Sequence, residues 1–211
     1  MNRILNREFF KRDVVIALAC AVVFSVFFAL TGFDTKCDRL RDRVLRLHII
    51  ANSDSERDQA IKLKVRDRLL QVSGEMFEAA DSKEQAIRLT EEHLDELQKE
   101  AEQVVRQQGD RSAVAISVGK AYFGTRVYDA FTLPAGDYDA VRVQIGAAEG
   151  KNWWCVMFPA MCVPAAGEQH TLTEAVDAGS AEIAENAPKY QMRFKTVEWY
   201  EELKHRLNEW F

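Results

Sequence analysis

Along "LRLHII", Leu45, Leu47 and Ile49 alternate with Arg46, His48 and Ile50, which is the period of a strand. From Asp54 the period changes. Ile61, Val65, Leu69, Val72 and Met76 recur at spacings of four and three and predict one helix with a single apolar stripe, weakened near its end by Gly74. A second helix is predicted after Asp81 and Ser82. Ile87, Thr90, Leu94, Leu97, Ala101 and Val104 mark its buried face, and Gly109-Asp110 closes it. The second half changes period again. Val114, Ile116 and Val118 share one strand face, "YFGTRVYDAFTL" continues with β-branched and aromatic residues, and Val141, Val143 and Ile145 share another face. "PAGDY" and "AAEGKN" are turn signals between these runs. "WWCVMFPAMC" is almost wholly apolar and reads as a central strand. Residues 165–190 read as a loop or weak helix. "TVEWYEELKHRLNEWF" reads as an amphipathic helix carrying Val197, Tyr200, Leu203 and Leu207.

The order β-α-α-β-β-β-β-α predicts an α+β domain with a mainly antiparallel sheet and helices packed on one face. The N-terminus stands apart. Arg3, Arg7, Lys11 and Arg12 lead into an uncharged apolar stretch over residues 14–30. A basic flank before an apolar run keeps the N-terminus in the cytoplasm and sends the downstream chain across. Residues 1–33 therefore read as an export signal or membrane anchor. Residues 34–43, "DTKCDRLRDR", read as a polar neck, and 44–211 as one extracytoplasmic domain.

Composition narrows the function. An apolar fraction of 47% supports a packed core. The net charge is −5, and the basic excess sits in the first 33 residues, so the rest is more acidic still. No basic cluster is interleaved with aromatics, and no nucleic-acid partner is expected. Cys155 and Cys162, seven apart in "CVMFPAMC", form a disulfide if Pro159 turns the chain back; otherwise they are two buried thiols.

"ANSDSERD" (51–58) resembles a catalytic cluster but has a plainer reading. Ser53 with Glu56 is a capping box, Ser55 with Asp58 repeats the pattern, and acidic residues suit the first turn of a helix. His48 lies on the strand face opposite Leu45, Leu47 and Ile49, with no evident base partner. A set of Cys155, His48 and Asn52 would need a thiolate in the middle of an apolar strand, where burial makes thiols inert. GxSxG, HExxH, Walker A and GxGxxG are absent, and the four histidines lack metal-ligand spacing. No catalytic residue, cofactor or metal is expected. A protein that acts by contact needs exposed anchors, and Trp is a common one. Trp153 and Trp154 are adjacent, so in a strand they point to opposite faces. One can then sit beside His48 if their strands are neighbours, unless 165–190 or the last helix covers it. The candidate contact residues are His48, Asn52, Asp54, Trp153 and Trp154.

"LRLHIIANSDSERDQAIKLKVRD" (45–67) and "TLPAGDYDAVRVQIGAAEGKNWWCVMFPAMC" (132–162) resemble the stage II sporulation protein R family of endospore-forming Firmicutes. The resemblance takes in the basic N-terminus and weakens after Pro164. It implies an intercellular signal, exported from the forespore into the intermembrane space. There such a protein triggers a membrane-embedded aspartic protease of the mother cell, which removes the pro-sequence of pro-sigma-E. The implied partners are that protease's extracytoplasmic part and, through residues 14–30, the membrane. The competing reading is a cell-envelope hydrolase using His48.

Overall fold

The computed structural model describes residues 2–78, 80–128, 131–159 and 177–210. In chain order these residues form α1 (Asn2–Arg43), β1 (Leu45–Ile50), α2 (Glu56–Phe77), α3 (Lys83–Glu92), α4 (Leu94–Gln107), β2 (Val114–Phe123), β3 (Arg126–Val127), β4 (Thr132–Leu133), β5 (Gly136–Ile145), β6 (Asn152–Phe158), α5 (Ala178–Glu185) and α6 (Ala187–Trp210). The class is α+β, as the alternation of periods implies.

Four strands form the main sheet in the order β2-β5-β1-β6. β2–β5 and β1–β6 are antiparallel and β1–β5 is parallel, so the sheet is mixed, with two of its three pairings antiparallel. The reason lies between them. A parallel return needs a long crossover, and α2, α3, α4 and β2 supply it. β6 is an edge strand, not a central one. Its apolar composition comes from burial on both faces: Cys155 and Met157 enter one core and Val156 enters the other.

Helices cover both faces, not one. α2, α3 and α4 pack over Leu45, Leu47, Ile49, Val114, Ile116, Val141, Val143 and Ile145. Leu45, Leu47 and Ile49 are fully buried, each stabilising by roughly 1.5–3 kcal/mol relative to exposure. The end of α1, with α5 and α6, packs over Phe123, Tyr138, Ala140 and Val156. Residues 34–43, expected as a neck, are the last turns of α1. Phe33, Cys37 and Leu40 recur at spacings of four and three and are buried among Ala181, Ile183 and Phe194. The charged neighbours hide this short stripe in the sequence. Arg41 fixes the helix end by donating to the Ala135 carbonyl (2.5 Å), to Asp38 (2.6 Å) and to Glu201 of α6 (3.4 Å).

The second predicted helix is two. Ser82 caps α3, its hydroxyl accepting from the Gln85 amide, and the chain breaks at His93 before α4. Among the described residues no helix is long and apolar enough to cross a membrane. The side chains of 22, 23 and 25–31, where much of the expected anchor falls, lie outside the described residues. Cys162 does too, and with it the choice between a Cys155–Cys162 disulfide and two thiols.

Candidate functional site

The loop 51–55 is a seam. Asn52 accepts from the Ala147 amide (2.9 Å) and donates to Asp58 (2.8 Å). Ser53 donates its hydroxyl to Asp58 (2.6 Å) and accepts from the Ser55 amide (3.1 Å). Asp54 accepts from the Lys151 amide (2.7 Å). The N-cap of α2 is Ser55, which accepts from the Asp58 amide (3.1 Å); Ser53 stands outside the helix and does not cap it. The hydroxyl of Ser53 and the amide of Asn52 hold the Asp58 carboxyl below the usual carboxylate range. The seam closes on the β5–β6 turn, where the Gly150 amide donates to the Ala51 carbonyl (2.9 Å). A Cβ on Gly150 would lie 2.3 Å from the Ser53 carbonyl oxygen, so only glycine lets the two loops approach this closely. Asn52 and Asp54 are thus committed to joining loops.

His48 and Trp154 do meet. They are cross-strand partners on β1 and β6, and their rings stack at 3.7 Å with an interplanar angle of 14°. His48 is 7% exposed, and its Nε2 shares a hydrogen bond with Asn152 Oδ1 (2.7 Å). Phe123 packs edge-on against both rings. Burial lowers the His48 pKa; the Asn152 bond opposes this, and the nearby Arg142, Arg46 and Arg126 lower it further. The ring is therefore a neutral, stacked, hydrogen-bonded group.

Trp153 points to the other face, against the first core, with the Arg66 guanidinium 4.5 Å from its ring. Cys155 also belongs to that core, on the opposite side of the sheet from His48. The Cys155–His48–Asn52 set is therefore not assembled. The Cys37 thiol is pushed up to about 12 by burial, which keeps it protonated at neutral pH. Among the described residues no group of His, Cys, Asp and Glu could hold a metal ion.

The arginines around His48 were not singled out by the sequence. Arg142 sits opposite His48 on β5, with Ser117 beyond it on β2. Arg126 approaches Trp154 from β3, its guanidinium 5.3 Å from the ring. Arg46, fully buried, donates to the Tyr128 hydroxyl (2.6 Å) and lies over Phe123 (4.0 Å) and Tyr138 (4.8 Å). Elsewhere, a cavity of about 560 Å³ lies between the β3–β4 hairpin and α5–α6. It combines Val127, Tyr128, Phe131, Met192 and Phe194 with the Lys195–Glu198 ion pair, a lining suited to packing rather than to proton transfer.

The family described as Stage II sporulation protein R matches residues 41–168. That stretch holds the seam, the whole main sheet and the His48–Trp154 stack. A curated protein, Stage II sporulation protein R of Bacillus subtilis (strain 168), is 34% identical over 121 residues, covering 57% of this chain and 54% of that one. The chain thus spans about half the length of this relative. No solved structure matches. The match extends over more than half the chain and over every strand of the main sheet, and the chain belongs to the stage II sporulation protein R family, with a role in sporulation.

Proposed function

We propose that this protein is an exported sporulation signal that works by contact. It engages the extracytoplasmic part of a membrane-embedded aspartic protease of the mother cell and so promotes processing of pro-sigma-E. The basic-flanked apolar stretch over 14–30 carries the domain out of the forespore, into the intermembrane space. Along that stretch Val15, Ile16, Leu18 and Phe24 are exposed on α1.

One observation supports contact over catalysis most directly. The imidazole of His48 is occupied by Asn152 and Trp154, and the nearest side chains that act on it are cations and aromatic rings. A general base needs a proton to take and an acid or nucleophile to serve. A half-buried Trp stacked on a His and flanked by arginines has the make-up of a recognition anchor.

The test is co-expression with the candidate protease and its pro-sigma substrate in a non-sporulating host. The expected result is pro-sequence removal that depends on this protein and falls with Trp154→Ala at unchanged melting temperature. Removal without this protein rejects the reading. So does a turnover activity of the isolated chain that His48→Ala abolishes.

A further inference from the structure

The sheet's second face is covered by helices over only part of its area. The row Arg46, Ala140 and Val156 is buried beneath them. The next two rows are Ser117–Arg142–His48–Trp154 and Ala115–Gln144–Ile50–Asn152. In these rows Ala115, Ser117, Arg142 and Asn152 are exposed and Gln144 and Trp154 are half-buried. Four strands about 4.8 Å apart make a platform roughly 15 Å across. Its floor at the β2 edge is low, because Ala115, Ser117 and Gly119 present almost no side chain.

The charge on this platform runs against that of the protein. The whole chain carries −5. The strands contribute no Asp or Glu to this face, whose residues are Arg46, His48 and Ile50, Ala115 to Ala121 in alternation, Tyr138 to Gln144 in alternation, and Asn152, Trp154 and Val156. Arg142 and Arg126 are both exposed, and among the described residues neither has an acid partner. Other arginines of the chain differ in this respect. Arg41, Arg57, Arg66, Arg68 and Arg106 each meet a carboxylate within 4 Å. Beneath the platform the buried Arg46 leaves Nε and Nη1 without a partner among the described residues, which adds to the positive potential.

We infer that this open face recognises an acidic peptide segment of the protease, with Arg142 and Arg126 pairing its carboxylates beside the Trp154–His48 stack. The inference rests on the contact reading above and names the chemistry of the partner. Guanidinium pairs with carboxylate through two parallel N–H bonds, and the half-buried aromatic stack lowers the local dielectric in which they form. An acidic segment also explains why the strands of an acidic domain contribute no acid to this platform: elsewhere its surface repels such a chain, so approach is steered to one face. Two exposed arginines suit a few carboxylates of an extended peptide better than the dense phosphates of a nucleic acid or an anionic membrane, which the remaining acidic surface would repel.

The experiment uses the full chain and three fluorescein-labelled peptides, alternating Glu-Leu, Gln-Leu and Lys-Leu, followed by anisotropy, with phosphatidylglycerol vesicles as a separate arm. The Glu-Leu peptide is expected to bind about tenfold or more tighter than the Gln-Leu peptide, with weakening at high salt. Arg142→Glu and Arg126→Glu should each remove that preference at unchanged melting temperature. Arg142→Gln should weaken it partway. Equal binding of the Glu-Leu and Gln-Leu peptides overturns the inference, and so does Glu-Leu binding that survives both charge reversals. Vesicle binding lost with the same variants, without peptide binding, replaces it with a lipid surface. Peptide binding that depends on both arginines, combined with unimpaired pro-sigma-E processing by Arg142→Glu, keeps the acid site and rejects the contact reading instead.

Discussion

The chemistry of His48 is set by its surroundings. Its ring is neutral in the folded state because burial disfavours the imidazolium, and Arg142 on β5, Arg46 on β1 and Arg126 on β3 disfavour it further. The folded pKa therefore lies below the ordinary 6.5. As pH falls through 6.5 the unfolded chain takes up a proton that the native ring refuses, so stability is complete above that value and declines toward the folded pKa. His48→Gln should flatten the loss of urea stability between about pH 7.5 and about pH 5.5 relative to the parent. An unchanged slope would mean that the ring titrates normally. At Gly150 the constraint is steric. Its missing Cβ leaves room for the Ser53 carbonyl, and rigid backbone cannot rotate aside as a side chain would. Gly150→Ala should cost about 1–3 kcal/mol in a urea titration, the range for forcing a methyl into packed structure.

At the scale of elements, the start of α2 separates two serines that the sequence treats alike. Ser53 and Ser55 each stand three residues before an acid, at Glu56 and Asp58. Only Ser55 has the cap position, with its hydroxyl on the Asp58 amide. Ser53 is drawn outward because Asp58 accepts from its hydroxyl, and Asn52 adds a second donor to the same carboxylate. Ser55→Ala should therefore cost about 0.5–2 kcal/mol by thermal or urea unfolding, with the fold retained. A full loss of fold would show that the serine does more than cap. The same loop explains why Asn52 and Asp54 look functional in sequence. Polar groups dense enough to join two loops resemble polar groups gathered for catalysis, and only their partners tell them apart.

For the whole molecule, the decisive contact is between the end of α1 and α6, far apart in sequence. Glu201 is 5% exposed and faces Arg41, itself 6% exposed, at 3.4 Å. Stranding a buried charge costs about 3–5 kcal/mol. Here Asp38 stays on the guanidinium at 2.6 Å and the Ala135 carbonyl at 2.5 Å, so Arg41 is not stranded. Glu201→Ala should cost about 1–3 kcal/mol, the lower range set by one lost charged hydrogen bond. Differential scanning calorimetry reads it as a lower melting temperature with one transition. Two transitions would show that α6 unfolds on its own and that the second core is not cooperative with the first.

What the sequence determined by itself is local. Periods of two and of 3.6 located β1, β2, β5 and α2, because burial of one face imposes its spacing on the residues of each element. In the last helix only Val197 of the expected stripe is buried, and Tyr200, Leu203 and Leu207 are exposed. Strand alternation placed His48 away from Leu47 and separated Trp153 from Trp154 for the same reason. The family resemblance rested on motifs long enough to be read in sequence. Which strands are neighbours is a property of the whole chain. The parallel β1–β5 pair joins residues more than eighty positions apart, and nothing in either strand's alternation states that Arg142 lies beside His48. Burial on both faces makes an edge strand as apolar as a central one, so β6 could not be placed by composition. The stripe of Phe33, Cys37 and Leu40 is too short to stand out among charges until α5 and α6 are there to bury it. The platform, to which the strands contribute no acid, is likewise a tertiary product, because it depends on four strands lying side by side and on helices that stop short of covering them.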